Sequence, residues 1–253
     1  MSATSLTIPR GYWRLARTPR YSISFAFPLL AAYEMLAFML SRLDVAGVRN
    51  GADVLLKSLF LTLGGRTGLA LFGALLVGGG AVLVWRDVKR SGRIQPRFFW
   101  FMLGESVLYA LVFGVVAATL TRVLLPFMTV NTVSPGWPAE AMDRFSLPVQ
   151  LMISLGAGIY EELLFRVLLV TGLTLLANRL FRWHGTRVAM FAAITAALIF
   201  AAFHYIGPYG EALALGSFTY RIVAGLLFSG LYVLRGFGIT AWTHALYDVF
   251  LAL

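Results

Sequence analysis

The sequence predicts an all-α, polytopic integral membrane bundle of about seven transmembrane helices preceded by an N-terminal interfacial helix. Three observations carry this reading. The chain is 59% hydrophobic and 13% charged with mean hydropathy +0.81, against roughly 45–50% apolar and about 25% charged in a soluble domain. Apolar stretches near the ~20 residues needed to cross the hydrocarbon recur along it. Lys and Arg gather in alternate connections, as the retention of cationic loops on the cytoplasmic side requires.

Residues 1–20 place Arg10, Arg14, Arg17 and Arg20 among Tyr12, Trp13 and Leu15. That spacing suits a short basic helix lying on the membrane surface. No short apolar core is followed by a small-residue cleavage site, so the first hydrophobic segment reads as a retained span. Spans are expected near 21–41, 67–85, 98–121, 148–178, 188–206, 218–234 and 238–253. Residues 53–64 are apolar but too short to cross, and read as interfacial or re-entrant.

Assigning 1–20, 86–97, 179–187 and Arg235 to the cytoplasm collects 13 of the 21 Lys and Arg residues. The N-terminus is then cytoplasmic and the C-terminus outside. The stretch 42–66 runs against this pattern, with Arg42, Arg49, Lys57 and Arg66 on the outer side. The connection 127–147, with Pro135 and Pro138, is expected to form a structured outer loop. With no internal repeat and no linker, residues 1–253 read as a single membrane domain.

The net charge of +10 is accounted for by anionic headgroups and cytoplasmic loops. No basic soluble domain exists to hold nucleic acid, so the expected partners are the lipid bilayer and, given the site below, a peptide or protein substrate. The absence of cysteine removes disulfides, thiolate ligands and a thiol nucleophile together.

Charged side chains within spans cost at least ~2.5–3.5 kcal/mol on insertion scales, so each needs a partner, a cavity or a chemical role. In Tyr160–Arg166 (YEELLFR), Glu162 and Arg166 are i and i+4 and can neutralise each other. At about 100° per residue Glu161 turns to a different surface, where a buried unpaired carboxylate suits a general base. Packing alone explains the Glu162–Arg166 pair as well as chemistry does; adjacent carboxylates make function the better account of Glu161. Gly156 and Gly158 upstream admit a close neighbour. Phe200–His204 (FAAFH) and His244–Asp248 (HALYD) each set two side chains on one helix face. Imidazole there can move a proton, ligate a metal or donate to an oxyanion. His184 lies in a basic loop and reads as an interfacial polar residue. Glu34, Glu105 and Arg221 read as structural, Arg221 by snorkelling near a span end, and Glu211 as a loop residue.

The succession E-E-x-x-x-R, F-x-x-x-H and H-x-x-x-D resembles the CPBP family, which joins CAAX prenyl endopeptidases to bacteriocin-processing and related bacterial membrane proteases, also called the Abi family. The match covers a catalytic core of about residues 148–253. The resemblance implies that Glu161 activates water with help from His204, that Glu162 and Arg166 complete the first motif, and that Phe200 is the aromatic, substrate-side member of the second. His244 and Asp248 take the positions assigned to the carbonyl oxygen. It also implies a bacterial inner (cytoplasmic) membrane as location. The family is described both as metal-dependent and as metal-free and glutamate-dependent. A divalent metal such as zinc, if present, falls to Glu161, His204, His244 and Asp248. Asp248 departs from the Asn of eukaryotic prenyl-protein peptidases: ionised, it would repel an oxyanion, so it must be protonated, orient His244 or help hold a metal. Only five residues follow Asp248, where some relatives carry a further helix.

The expected function is therefore an intramembrane endopeptidase acting on a prenylated CAAX protein, a bacteriocin or secreted peptide, or a C-terminal sorting tail. Two rivals use the same residues: a proton-coupled transporter, whose fold would commonly show two related halves, and a non-catalytic peptide-binding membrane scaffold.

Overall fold

The computed structural model describes residues 11–41, 48–127, 145–207 and 210–253. Residues 1–10, Arg42 and nearly all of the 127–147 connection, with Pro135 and Pro138, lie outside the described residues. The described residues are helices and short connections, and no strand occurs among them. In order they are α1 (Tyr12–Leu15), α2 (Pro19–Leu40), α3 (Gly51–Gly73), a first π-helical segment (Ala74–Gly79), α4 (Gly80–Ser91), α5 (Arg97–Leu124), α6 (Leu147–Gly156), a second π-helical segment (Ala157–Val170), α7 (Thr171–Leu180), α8 (Thr186–Phe203), α9 (Leu215–Arg235) and α10 (Phe237–Ala252).

Six helical stretches are long and apolar enough to cross a membrane, the π segments being continuous with their neighbours. The polarity of the molecule is inverted relative to a soluble protein. Large apolar side chains such as Leu111, Val115 and Val123 of α5 face outward, while Glu161, Glu162, Arg166 and His244 are buried. This is the arrangement that lipid as solvent selects. The protein is an integral membrane protein.

The seventh expected span forms α10, whose 16 residues cover about 24 Å at 1.5 Å per residue, short of the ~30 Å hydrocarbon. It is shielded by its neighbours, packing on α2, α5, α6, α9 and the second π segment. Ile239, Thr240, Ala241, Thr243 and Ala245 of α10 are fully buried. Lipid gives no hydrophobic drive for helices to associate, so close approach through small residues supplies the packing. A Cβ at Gly158 would strike the Ala241 carbonyl and the Ala245 methyl, one at Gly156 would lie 2.6 Å from the Tyr33 ring and 2.7 Å from Asn50, and one at Gly225 would lie 3.1 Å from Ala197.

Residues 53–64, read as too short to cross, form the first arm of a helical hairpin. The helix breaks at Gly64 and Gly65, where Gly65 takes φ 56°, ψ −141°, a region open essentially to glycine alone. The arms then fold together, with the Phe60 and Phe72 rings 5.1 Å apart.

Three of the Lys/Arg-rich segments meet at one end of the bundle. The Arg20 amide donates to Asp87 at 3.0 Å and its guanidinium to the Gly92 carbonyl at 2.7 Å. Arg235 donates to both oxygens of Glu105, at 2.5 and 2.7 Å, and to the Trp13 carbonyl at 2.8 Å. The Tyr12 hydroxyl donates to Glu105 at 2.6 Å. Burial and the Glu105 carboxylate push the Tyr12 phenol well above its ordinary value, so it remains a donor. These bonds lash the short α1 to α5 and α9.

Candidate active site

The first motif sits on the second π segment. There the i→i+5 bond widens the turn, which reduces the angle between successive side chains below the 100° expected from an α-helix. Glu161 and Glu162 are both buried, 4% and 0% exposed, yet face different partners: Glu161 meets Asn50 and the His204 side, Glu162 meets Arg166 and His244. Such π segments often mark functional sites. Arg166 pairs with Glu162, Nη1 to Oε1 at 3.0 Å. Its guanidinium is otherwise faced by aromatic rings, 4.6 Å from the Phe200 centroid and 5.3 Å from that of Phe228. Cation–π attraction is strongest in such a desolvated setting.

His204 caps the C-terminus of α8. Its Nδ1 lies 2.8 Å from the Phe200 carbonyl, and a carbonyl only accepts, so Nδ1 carries the proton. Nε2 of the neutral ring is then an acceptor, 4.0 Å from Glu161 Oε2. His244 on α10 donates from Nδ1 to Glu162 Oε1 at 2.7 Å. Its Nε2 lies 3.7 Å from Asp248 Oδ2, and its ring stacks on Phe228 with centroids 4.3 Å apart. Phe200 is buried, its ring 4.7 Å from that of His204.

All these groups except Glu162 and Arg166 line one small cavity of about 30 Å³. A void above roughly 10–15 Å³ admits a water given polar partners; this one is large enough for a water and too small for a peptide. Glu161 Oε2 is buried with no hydrogen-bond partner among the described residues. The larger grooves, of about 840 and 990 Å³, flank the α3 hairpin and contain none of the motif residues.

Several site residues escaped the sequence reading. Asn50, which N-caps α3, donates from Nδ2 to Glu161 Oε1 at 2.8 Å. Arg221 does not snorkel: its side chain is 7% exposed, pairs with Glu211 and lines the cavity. Glu211, placed in a loop, is thereby drawn to the rim. Tyr220 and Tyr247, whose hydroxyls are 2.6 Å apart, close another wall. The motif spacings could not find these groups, because Asn50, Arg221, Glu211 and Tyr220 come from outside the three motifs and Tyr247 occupies one of the unspecified positions of the third. His184, read as an interfacial residue, is exposed.

Residues 143–250 match the family model described as type II CAAX prenyl endopeptidase Rce1-like. This carboxy-terminal part of the chain is similar to the CPBP/CAAX protease family, which the match supports. No curated protein and no solved structure matches the chain. The CAAX-protease match contains all three motifs and supports, in general terms, an intramembrane endopeptidase of this type. Residues 11–127, which supply Asn50, lie outside it.

Some descriptions of CAAX proteases call for a metal ion. Among the described residues no three His, Asp or Glu side chains lie close enough together to hold one. As placed, the set does not fit a bound metal.

Proposed function

We propose that the chain is a glutamate-dependent intramembrane endopeptidase in which Glu161 and His204 activate water and His244 steadies the oxyanion. One observation carries this reading: Glu161 Oε2, without a protein partner, faces the acceptor nitrogen of His204 across a water-sized cavity enclosed by apolar helices.

The chemistry follows from the donors and acceptors. A water in the cavity gives its proton to Glu161 Oε2 or His204 Nε2 while its oxygen attacks the scissile carbonyl. The carbonyl π electrons move to oxygen, giving a tetrahedral oxyanion. When the intermediate collapses, the C–N bond breaks and the stored proton passes to the leaving amine. His244, with Nδ1–H spent on Glu162, can donate to the oxyanion from Nε2 only with a second proton on its ring. Glu162 and Asp248, on its two sides, are the counter-charges that form requires. Asp248 thus orients and balances His244 rather than touching the oxyanion. Phe200 walls the cavity on the substrate side and, together with Phe228, holds Arg166.

The basic segments gather at one end of the bundle, supporting a cytoplasmic N-terminus in a bacterial inner membrane. Arg221, on the site wall, lies only six residues, about 9 Å of helix, from the α9 start at the opposite end. An outward-facing site favours exported or lipid-associated substrates, a C-terminal sorting tail or a secreted peptide, over cytosolic prenyl-proteins. Because the cavity is only about 30 Å³, substrate entry requires the helices that enclose it to part. Terminal-peptide mass spectrometry of membrane and secreted proteins, from cells with and without the chain, tests the reading. New carboxyl termini at or near predicted spans are expected only with the chain; identical termini would refute it.

A further inference from the structure

We infer that Asn50 is a positioning residue for Glu161, fixing Oε1 so that the proton chemistry of the carboxylate is confined to Oε2. This rests on the peptidase reading above and names a group that reading does not require.

The orientation of the Asn50 side chain is settled by its own bonds. Oδ1 accepts the Ala52 amide at 2.9 Å, capping α3. A flipped side chain would set the NH2 group against that amide, donor against donor, so Nδ2 must be the end directed at Glu161 Oε1, 2.8 Å away. An amide N–H only donates. Oε1 therefore accepts whether Glu161 is ionised or protonated, and because a carbonyl oxygen accepts better than a carboxylic hydroxyl, a proton arriving on the carboxylate is favoured on Oε2. That is the oxygen facing His204 Nε2 and left without a partner. One amide thus divides the two carboxylate oxygens into a held atom and a working atom.

The scaffold around Asn50 is built to hold it still. The residue is 1% exposed. Gly156, on the helix leading to Glu161, leaves space only for Asn50 and the Tyr33 ring. Tyr33 donates to Asp53 at 2.7 Å, and Arg49 and Lys57 pair with the same carboxylate at 3.1 and 2.6 Å. Lys57 also reaches Glu34, which accepts from Tyr160 at 2.5 Å. The residues beside Asn50 are thereby tied to the residue beside Glu161. A helix cap alone would not require these ties, since Ser or Asp caps as well as Asn.

Asn50→Ser and Asn50→Asp separate the two roles. Both keep an acceptor for the Ala52 amide; serine is too short to reach Glu161 and an aspartate carboxylate cannot donate. The full chain is reconstituted in lipid nanodiscs and given a quenched-fluorescence peptide that spans a cleavage site found by the terminal-peptide mass spectrometry above. Expected is a fall in kcat of roughly tenfold to a hundredfold, the scale of a displaced reacting group, with KM within about twofold and a melting temperature lowered by the loss of one buried hydrogen bond but still well above the assay temperature. Infrared spectra give a readout independent of activity. The Glu161 carboxyl band, identified by its loss in Glu161→Gln, should move in both variants. An unmoved band with native kcat in either folded variant would reduce Asn50 to a cap and overturn the inference. A shifted band in a chain that cleaves no peptide would leave the Asn50–Glu161 coupling in place while sinking the peptidase reading.

Discussion

Replacing Glu161 with glutamine is expected to abolish peptide cleavage while leaving the protein folded in the membrane. Glutamine keeps the shape of the side chain, and its carbonyl still accepts from Asn50 Nδ2. What it lacks is a basic oxygen opposite His204. General base catalysis contributes about 10²–10⁴-fold, so kcat/KM should fall at least that far. Adding His204→Ala should cost much less than its single effect, because the two groups act on one water and their effects do not add. Steady-state kinetics with thermal unfolding in detergent checks both parts. A transporter or idle scaffold built on the same helices would show no peptide turnover in the native chain.

Arg166→Met is expected to produce the largest loss of stability of any single change at the site. Methionine fills much of the space between Phe200 and Phe228, but the Glu162 carboxylate, fully buried, loses its 3.0 Å cation. Removing one partner of a buried ion pair costs about 3–5 kcal/mol, because the remaining charge stays desolvated. The double variant Arg166→Met, Glu162→Gln should therefore recover much of the stability lost by the single change without restoring cleavage. Unfolding midpoints of the three proteins measure this. An Arg166→Met protein as stable as the native one would show that the pair does not hold these helices together.

Much of the site was legible because its spacings are local. E-E-x-x-x-R, F-x-x-x-H and H-x-x-x-D set their members on one helix face, and apolar surroundings marked those charges as exceptional. Gly156 and Gly158 announced close neighbours, and the structure supplies them in Tyr33, Asn50 and α10. What the 100° rule did not foresee is the π-helical turn on which both acids sit, since the rule assumes an α-helix. Asn50 was beyond reach. It carries the ordinary signal of an N-cap, before an apolar run and in a stretch rich in cations, and nothing local says that its amide meets a carboxylate 111 positions away. Arg221 was misread for a related reason. Closeness to a helix end suggests snorkelling, whereas the fold turns that end toward the cavity and provides Glu211 as partner.

Single-turnover cleavage in oxygen-18 water, with purified protein in vesicles, tests the central claim most directly. If Glu161 and His204 deliver water straight to the carbonyl, the new carboxyl terminus gains one heavy oxygen, no peptide becomes bound to the protein, and the Glu161→Gln protein yields neither product nor label. A trapped acyl-protein, or labelled product formed at the native rate by Glu161→Gln, would contradict the account.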